Sequence, residues 1–371
     1  MGISHIKLSW IFYSYFLSSV IVTAWVQQQP LLRRLKPSST PRSLLYTTND
    51  DLETTETTET APTNNSNDSS SFKVTVFGGT GFVGSRVCKF LVDKGESIKV
   101  TSVSKTGTIP NWCKDEDWVN QVVWNKADLL QQKDDSSSTL LDEAVGKPDV
   151  VVSCIGEIGT DSEKLKKGNG DANCLAFESA KRGGNVKRAV FVSVGSEVIK
   201  CQENWLPGFF GGYFDGKEMA EKAALDAVNS DSSCACIVKP TFIYGGDSFN
   251  FLPPRVTVEY GSFIEELLSL SLFKFLADNT PGLIKVALRP PSSVNAVAEA
   301  CASAAVGGNA MGKILDGTAD INDVTSQPPA TGLTDALMWT KEKASDIYEL
   351  AKVEVPKAIE STKASIEKLQ K

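Results

Sequence analysis

The most constraining feature of the chain is the run Lys73-Val-Thr-Val-Phe-Gly-Gly-Thr-Gly-Phe-Val-Gly-Ser-Arg-Val87. Here Gly78, Gly81 and Gly84 recur every third residue between an apolar strand-like segment and an amphipathic helix-like one. Each glycine answers its own steric demand: a tight strand-to-helix turn, close approach of backbone to a pyrophosphate, and close packing of helix on strand. The helix that follows offers free N–H groups and the positive end of its dipole to an anion. Gly78, Gly79, Thr80, Gly81, Phe82, Val83 and Gly84 are therefore the expected phosphate-binding segment of a dinucleotide site.

About twenty residues further on, the second apolar run ends in Val103-Ser104-Lys105-Thr106, where an NAD-selective site carries an acid for the ribose hydroxyls. No acid stands there. Ser104 and Lys105 offer a hydroxyl and a positive charge to a 2′-phosphate instead, which favours NADP(H) over NAD(H).

Strand-like and helix-like runs then alternate. They fall at Lys73 to Phe77, Phe82 to Lys94, Ser97 to Ser104, Asp149 to Ile155, Asp171 to Arg182, Ala189 to Val194, Lys217 to Ala227 and Cys234 to Pro240. Such alternation specifies an α/β fold, a Rossmann-type doubly wound parallel sheet covered on both faces, over residues 72–325. In its last strand Cys234, Cys236 and Val238 are expected to share one buried face, as core thiols rather than a redox pair.

Composition removes several chemistries. The only histidine is His5, so Ser-His-Asp hydrolysis, Cys-His catalysis and His-ligated zinc lack their imidazole. The eight cysteines contain no C-x-x-C pair and read as buried free thiols of a reducing compartment, with no metal site expected. Net charge is −7, and the first 49 residues hold five bases and no acid, so the remainder is more acidic still. An acidic body without a basic run excludes nucleic acid as the expected partner.

The N-terminus reads as targeting. Residues 1–24 contain an uncharged apolar run from Trp10, and resemble a signal peptide; residues 25–49 are acid-free, rich in Ser, Thr and Arg, and read as a transit peptide. Together they resemble the bipartite presequences that lead to plastids of secondary origin, with the mitochondrion as the alternative destination. Residues 50–71 are polar and form a disordered linker. At the other end, residues 333–371 carry Leu333, Leu337, Ala344, Ile347 and Ala351 at helical spacings, an amphipathic tail split near Pro356. Its apolar stripe needs a cover: its own domain, a protein complex, or a membrane or lipid-droplet surface.

Several pieces in order give the chain a resemblance: the glycine loop, Ala127-Asp128-Leu129, Val150-Val-Val-Ser-Cys-Ile-Gly156, Asn173, Val190-Phe-Val-Ser193, Tyr213-Phe-Asp-Gly-Lys217 and Lys239-Pro-Thr-Phe-Ile-Tyr-Gly245. Over roughly residues 73–320 it resembles the extended and atypical short-chain dehydrogenase/reductase superfamily. Within it, Val103-Ser-Lys-Thr-Gly107, Gly212-Tyr-Phe-Asp-Gly-Lys217 and Pro240-Thr-Phe-Ile-Tyr-Gly245 look most like a narrower group. That group holds plastoglobule dehydrogenase-like proteins, a fungal mitochondrial protein tied to coenzyme Q synthesis and an accessory subunit of respiratory complex I.

The resemblance implies roles. Tyr213 and Lys217, four apart and so on one helical face, would be the proton-transferring phenol and the ammonium that lowers its pKa. Ser193 would be the third member, although Ser196 competes, since the family hydroxyl stands just past the strand. Asp128 would lie beside the adenine amino group, Gly156 would line the nicotinamide-side ribose, and Pro240 would close the cofactor site. The Phe- and Leu-rich stretch Phe263 to Leu276 is a wall of a lipophilic pocket, a membrane-surface dock or ordinary core, in a small C-terminal substrate region. Two functions follow: an oxidoreductase acting on a lipophilic carbonyl or quinone-pathway compound, or a non-catalytic NADP(H)-binding scaffold of a quinone- or lipid-associated complex.

Overall fold

A computed structural model of the chain describes residues 72–131, 135–184, 186–201, 210–246, 250–251, 254–280 and 282–326. The expected targeting segments (residues 1–49), linker (50–71) and amphipathic tail (333–371) lie outside the described residues. In chain order the elements are β1 (Phe72–Phe77), α1 (Gly84–Asp93), β2 (Ile98–Ser104), β3 (Val122–Lys126), α2 (Asp135–Val145), β4 (Val150–Ser153), α3 (Ser162–Lys166) and α4 (Ala172–Gly183). They continue with β5 (Arg188–Val192), α5 (Ser196–Lys200), α6 (Gly211–Ala227), β6 (Ala235–Lys239), β7 (Ile243–Tyr244), β8 (Asn250–Phe251) and β9 (Pro254–Arg255). The last are α7 (Val258–Ser269), α8 (Ser271–Asn279), α9 (Gly282–Ala287), β10 (Ser292–Ser293), α10 (Val294–Ala305), β11 (Ile314–Asp316) and α11 (Thr318–Asp323).

Seven strands form one sheet in the order β11-β6-β5-β4-β1-β2-β3, every adjacent pair parallel. The order reverses between β1 and β4, so the crevice beyond their carboxyl ends is the topological switch point at which such sheets bind ligands. Strand alternation sorts the core into two layers. Val74, Val76, Val150, Val152, Val190, Val192, Cys236 and Val238 face α1 and α10, whereas Val151, Ala189, Phe191 and Ile237 face α4 and α6. Parallel strands buried on both faces need near-continuous apolar runs, and Val150-Val-Val in β4 is one.

The eight cysteines are free thiols, five of them buried. Cys236 and Val238 share a layer, but Cys234 ends a 3-10 turn, Ser232–Cys234, ahead of β6 and packs toward the opposite layer. The expectation of three residues on one strand face is corrected accordingly: the Asp231 carboxylate accepts from Ser233 N–H and closes the turn, which delays the strand. The Phe263 to Leu276 stretch divides between α7 and α8. Phe263, Ile264, Leu268 and Phe273 are buried, while Leu272, Phe275 and Leu276 are exposed on α8.

Candidate functional site

The glycine segment turns the chain from β1 into α1 at the switch point. Gly78 takes φ +72°, a conformation that a side chain opposes, and its N–H donates to the Val103 carbonyl at 2.8 Å. The Gly78 carbonyl accepts from Gly81 N–H at 2.8 Å. A Cβ on Gly78 would lie 3.2 Å from the Cys154 backbone, a Cβ on Gly84 would overlap the Gly78 carbonyl, and one on Gly79 would overlap the Ser102 side chain. The α1 N-terminus has no side-chain cap and no acid in its first turn. A backbone cradle without room for Cβ atoms, ending in an uncapped helix, fits a dinucleotide pyrophosphate.

Side chains brace this loop from outside. Ser85 Oγ donates to the Gly81 carbonyl at 2.8 Å and accepts from Trp112 Nε1 at 3.1 Å. The Arg86 guanidinium lies 4.5 Å from the Trp112 ring and 5.0 Å from that of Phe82, and Nη1 donates to the Phe82 carbonyl at 2.9 Å. A cleft opens here between Thr80, Gly81, Phe82, Arg86, Pro110 and Trp112. Val83 is buried beneath it.

On the adenosine side, Ser104 is buried and its Oγ accepts from Gly107 N–H at 3.1 Å, so its oxygen holds the turn after β2. Lys105 is largely exposed and reaches Asp128 Oδ2 at 3.1 Å. Asp128 also accepts from Leu130 N–H at 3.2 Å. Lys105 and Asp128 thus stand together just past the carboxyl ends of β2 and β3.

The third part lies over β4, β5 and α6. Tyr213 and Lys217 are on one face of α6, with the Lys217 Nζ 5.8 Å from the Tyr213 ring centroid. Lys217 Nζ donates to the Val192 carbonyl at 2.9 Å and the Ile155 carbonyl at 3.3 Å, and would lie 3.7 Å from a Cβ on Gly156. Burial draws its ammonium down to about 8, with Glu221 acting in the opposite direction. Burial pushes the Tyr213 phenol up to about 12. The expected lowering of the phenol by the lysine is therefore corrected: Lys217 spends its protons on two carbonyls, and desolvation dominates at Tyr213.

Helix α6 reaches this place through its glycines. Gly212 and Gly216 pack backbone to backbone on α3 and on the π-turn Lys167–Asp171 that joins α3 to α4, where a Cβ on Gly212 would overlap Ser162. In that turn the buried Asn169 carboxamide donates to the Glu157 and Leu165 carbonyls, each at 2.9 Å, and accepts from Glu157 N–H at 3.1 Å. Asn173 accepts from Ser153 Oγ at 2.5 Å. The amides fix the loop after β4 that carries Gly156. Pro240 is buried after β6 and its carbonyl accepts from Gly195 N–H at 2.9 Å, tying the ends of β5 and β6.

Ser193 is held by Glu221. Its Oγ donates to Glu221 Oε1 at 2.5 Å, and Glu221 Oε2 holds Lys239 Nζ at 2.8 Å. The expectation that Ser193 orients a substrate carbonyl is corrected on that ground, its hydroxyl being taken by a carboxylate. Ser196 starts α5, where its N–H donates to Asp316 at 3.0 Å. Sequence reasoning missed Glu221, Asn169 and the Arg86–Trp112 stack. Only Glu221 carried a signal, as the third member of a four-residue spacing with Tyr213 and Lys217.

The chain is similar to several known proteins. An uncharacterized chloroplastic protein of Arabidopsis thaliana is 36% identical over 185 residues, 49% of this chain and 54% of that protein. MIOREX complex component 2 of Saccharomyces cerevisiae is 42% identical over 74 residues, 19% of this chain and 25% of that protein. The chain thus spans about half of the first relative and a quarter of the second. Among solved structures, the Bordetella bronchiseptica enzyme WbmF in complex with NAD+ and UDP has 18% identity and a TM-score of 0.45, over 74% of this chain and 77% of that one. Yeast methylglyoxal/isovaleraldehyde reductase Gre2 complexed with NADPH has 18% identity and a TM-score of 0.43, over 67% and 78%. A family model matches residues 74–260, half of the chain, from β1 through the glycine loop and the Tyr213–Lys217 helix into α7: the chain belongs to the NAD dependent epimerase/dehydratase family.

Proposed function

We propose that the chain is an oxidoreductase of the atypical short-chain type, using NADP(H) to reduce a lipophilic carbonyl or quinone-pathway compound in a plastid or mitochondrion. The observation that carries the reading is the Tyr213–Lys217 pair, set on one helical face beside Gly156 at the switch point. The nicotinamide supplies hydride. A phenol held up near 12 stays protonated at working pH and donates its proton to a developing alkoxide, while the Lys217 ammonium favours the negative charge left on Tyr213 Oη. Lys105, with no acid at the end of β2, supports the phosphorylated cofactor. The apolar α7–α8 stretch supports a lipophilic substrate. The chloroplastic relative supports the plastid.

A non-catalytic NADP(H)-bound scaffold is the second reading, favoured by Ser193, whose hydroxyl serves Glu221 rather than a substrate. Oxidation of NADPH by the full chain over a panel of prenylquinones and apolar aldehydes and ketones separates the two. The oxidoreductase reading expects turnover with at least one compound and its loss in Tyr213→Phe. Dinucleotide binding without turnover across the panel transfers the case to the scaffold.

A further inference from the structure

Tyr213, Lys217 and Glu221 succeed one another at four-residue spacing along α6, and the last two grip the end of β5 at adjacent residues. Lys217 Nζ holds the Val192 carbonyl at 2.9 Å, and Glu221 Oε1 holds the Ser193 hydroxyl at 2.5 Å. The second Glu221 oxygen holds Lys239, the last residue of β6, at 2.8 Å. Ser193 and Lys239 are both buried and the Glu221 side chain is 22% exposed, so the network ties three elements at the edge of the core, with both carboxylate oxygens engaged. A carboxylate left without such partners in that setting would be costly.

We propose that Glu221 is a positioning residue, which docks the carboxyl ends of β5 and β6 onto α6 and holds Lys217 as an ammonium beside Tyr213. The inference rests on the reading of Tyr213 and Lys217 as the reacting pair. The groups that face Lys217 are Cys154 from the end of β4 and Tyr213 and Glu221 from its own helix, and Glu221 is itself paired with Lys239 of β6. Burial holds Cys154 up to about 12 and Tyr213 up to about 12, so both are neutral. Glu221 is then the anion of the set. Loss of its charge leaves Lys217 in a dry site without that anion, which favours the neutral amine.

The test reads Lys217 directly, by pH titration of its 15Nζ resonance in the full chain labelled at lysine, assigned with Lys217→Arg. Glu221→Gln is expected to lower the midpoint by about one pH unit or more. Glu221→Asp restores most of that shift. Ser193→Ala lowers the melting temperature and leaves the midpoint in place. Lys239→Gln keeps the carboxylate and removes the competing cation, so its midpoint rises, and it covers the case in which Glu221→Gln does not fold. A folded Glu221→Gln with an unmoved midpoint, or a lowered midpoint in Lys239→Gln, overturns the inference. The readout needs no turnover, so a midpoint that moves in a protein inactive on every substrate tested preserves the role of Glu221 and removes the catalytic reading alone.

Discussion

Gly216 of α6 and Gly170 of the π-turn meet backbone to backbone: a Cβ on Gly216 would lie 2.8 Å from Gly170 N, and one on Gly170 would lie 2.9 Å from Gly216 Cα. This contact sets the depth at which Tyr213 and Lys217 stand over the sheet. Gly216→Ala is expected to cost about 1–3 kcal/mol of stability by overpacking, read by denaturant melts. It also weakens NADPH binding, because α6 must move outward and take Lys217 with it. A variant as stable as the parent contradicts the packing argument.

Lys217 makes a signed prediction about pH. Its folded value is drawn down to about 8 from 10.5, so between those two pH values the unfolded chain binds more protons than the folded one. Stability therefore rises with pH through that window as far as this group is concerned. Denaturant melts of the parent and Lys217→Met at both ends of the window should show the parent gaining about 1–3 kcal/mol relative to the variant toward alkaline pH. Tyr213 is common to both proteins and cancels. A gain toward lower pH has the wrong sign.

The fold was legible because its determinants are local. Val150-Val-Val can only be a strand buried on both faces, and a strand, a glycine turn and a helix in that order admit few arrangements. The Tyr213–Lys217 spacing likewise fixes a shared face as soon as α6 is a helix. What stayed hidden depends on distant partners. Ser193 and Glu221 are 28 residues apart, Arg86 and Trp112 meet only when the segment after β2 folds over α1, and the π-turn at Asn169 arises from contacts with Glu157. Cys234 followed the strand period in sequence, and a side-chain cap from Asp231 shifted it out of the strand.

The proposed preference for NADP(H) rests on Lys105, which lies 3.1 Å from Asp128. Lys105→Ala should weaken NADPH about tenfold, the scale of one charge-assisted hydrogen bond to phosphate, and leave NADH unchanged. Asp128→Asn releases the lysine and should shift preference further toward NADPH. Calorimetric titration with each dinucleotide checks both, and an equal loss of the two in Lys105→Ala removes the selectivity argument.

Trp112 borders the glycine cleft and donates to Ser85 in the first turn of α1. Dinucleotide binding should quench its emission. Trp112→Phe should lose most of the quench while affinity stays within about threefold, under ~1 kcal/mol. An undiminished quench in that variant places the ligand elsewhere.

A nicotinamide dinucleotide is proposed to lie across Gly78–Gly84 and to reach Tyr213 and Lys217. Calorimetric titration of the full chain with NADPH and NADH, beside Gly84→Ala and Tyr213→Phe, tests it most directly. A Cβ on Gly84 would overlap the Gly78 carbonyl and spoil the pyrophosphate cradle, whereas Tyr213→Phe removes one oxygen. One-to-one binding is expected in the parent, lost by about a hundredfold or more in Gly84→Ala, roughly 2.7 kcal/mol, and kept within about threefold in Tyr213→Phe. No heat from either dinucleotide, or affinity that survives Gly84→Ala in a folded protein, would contradict it.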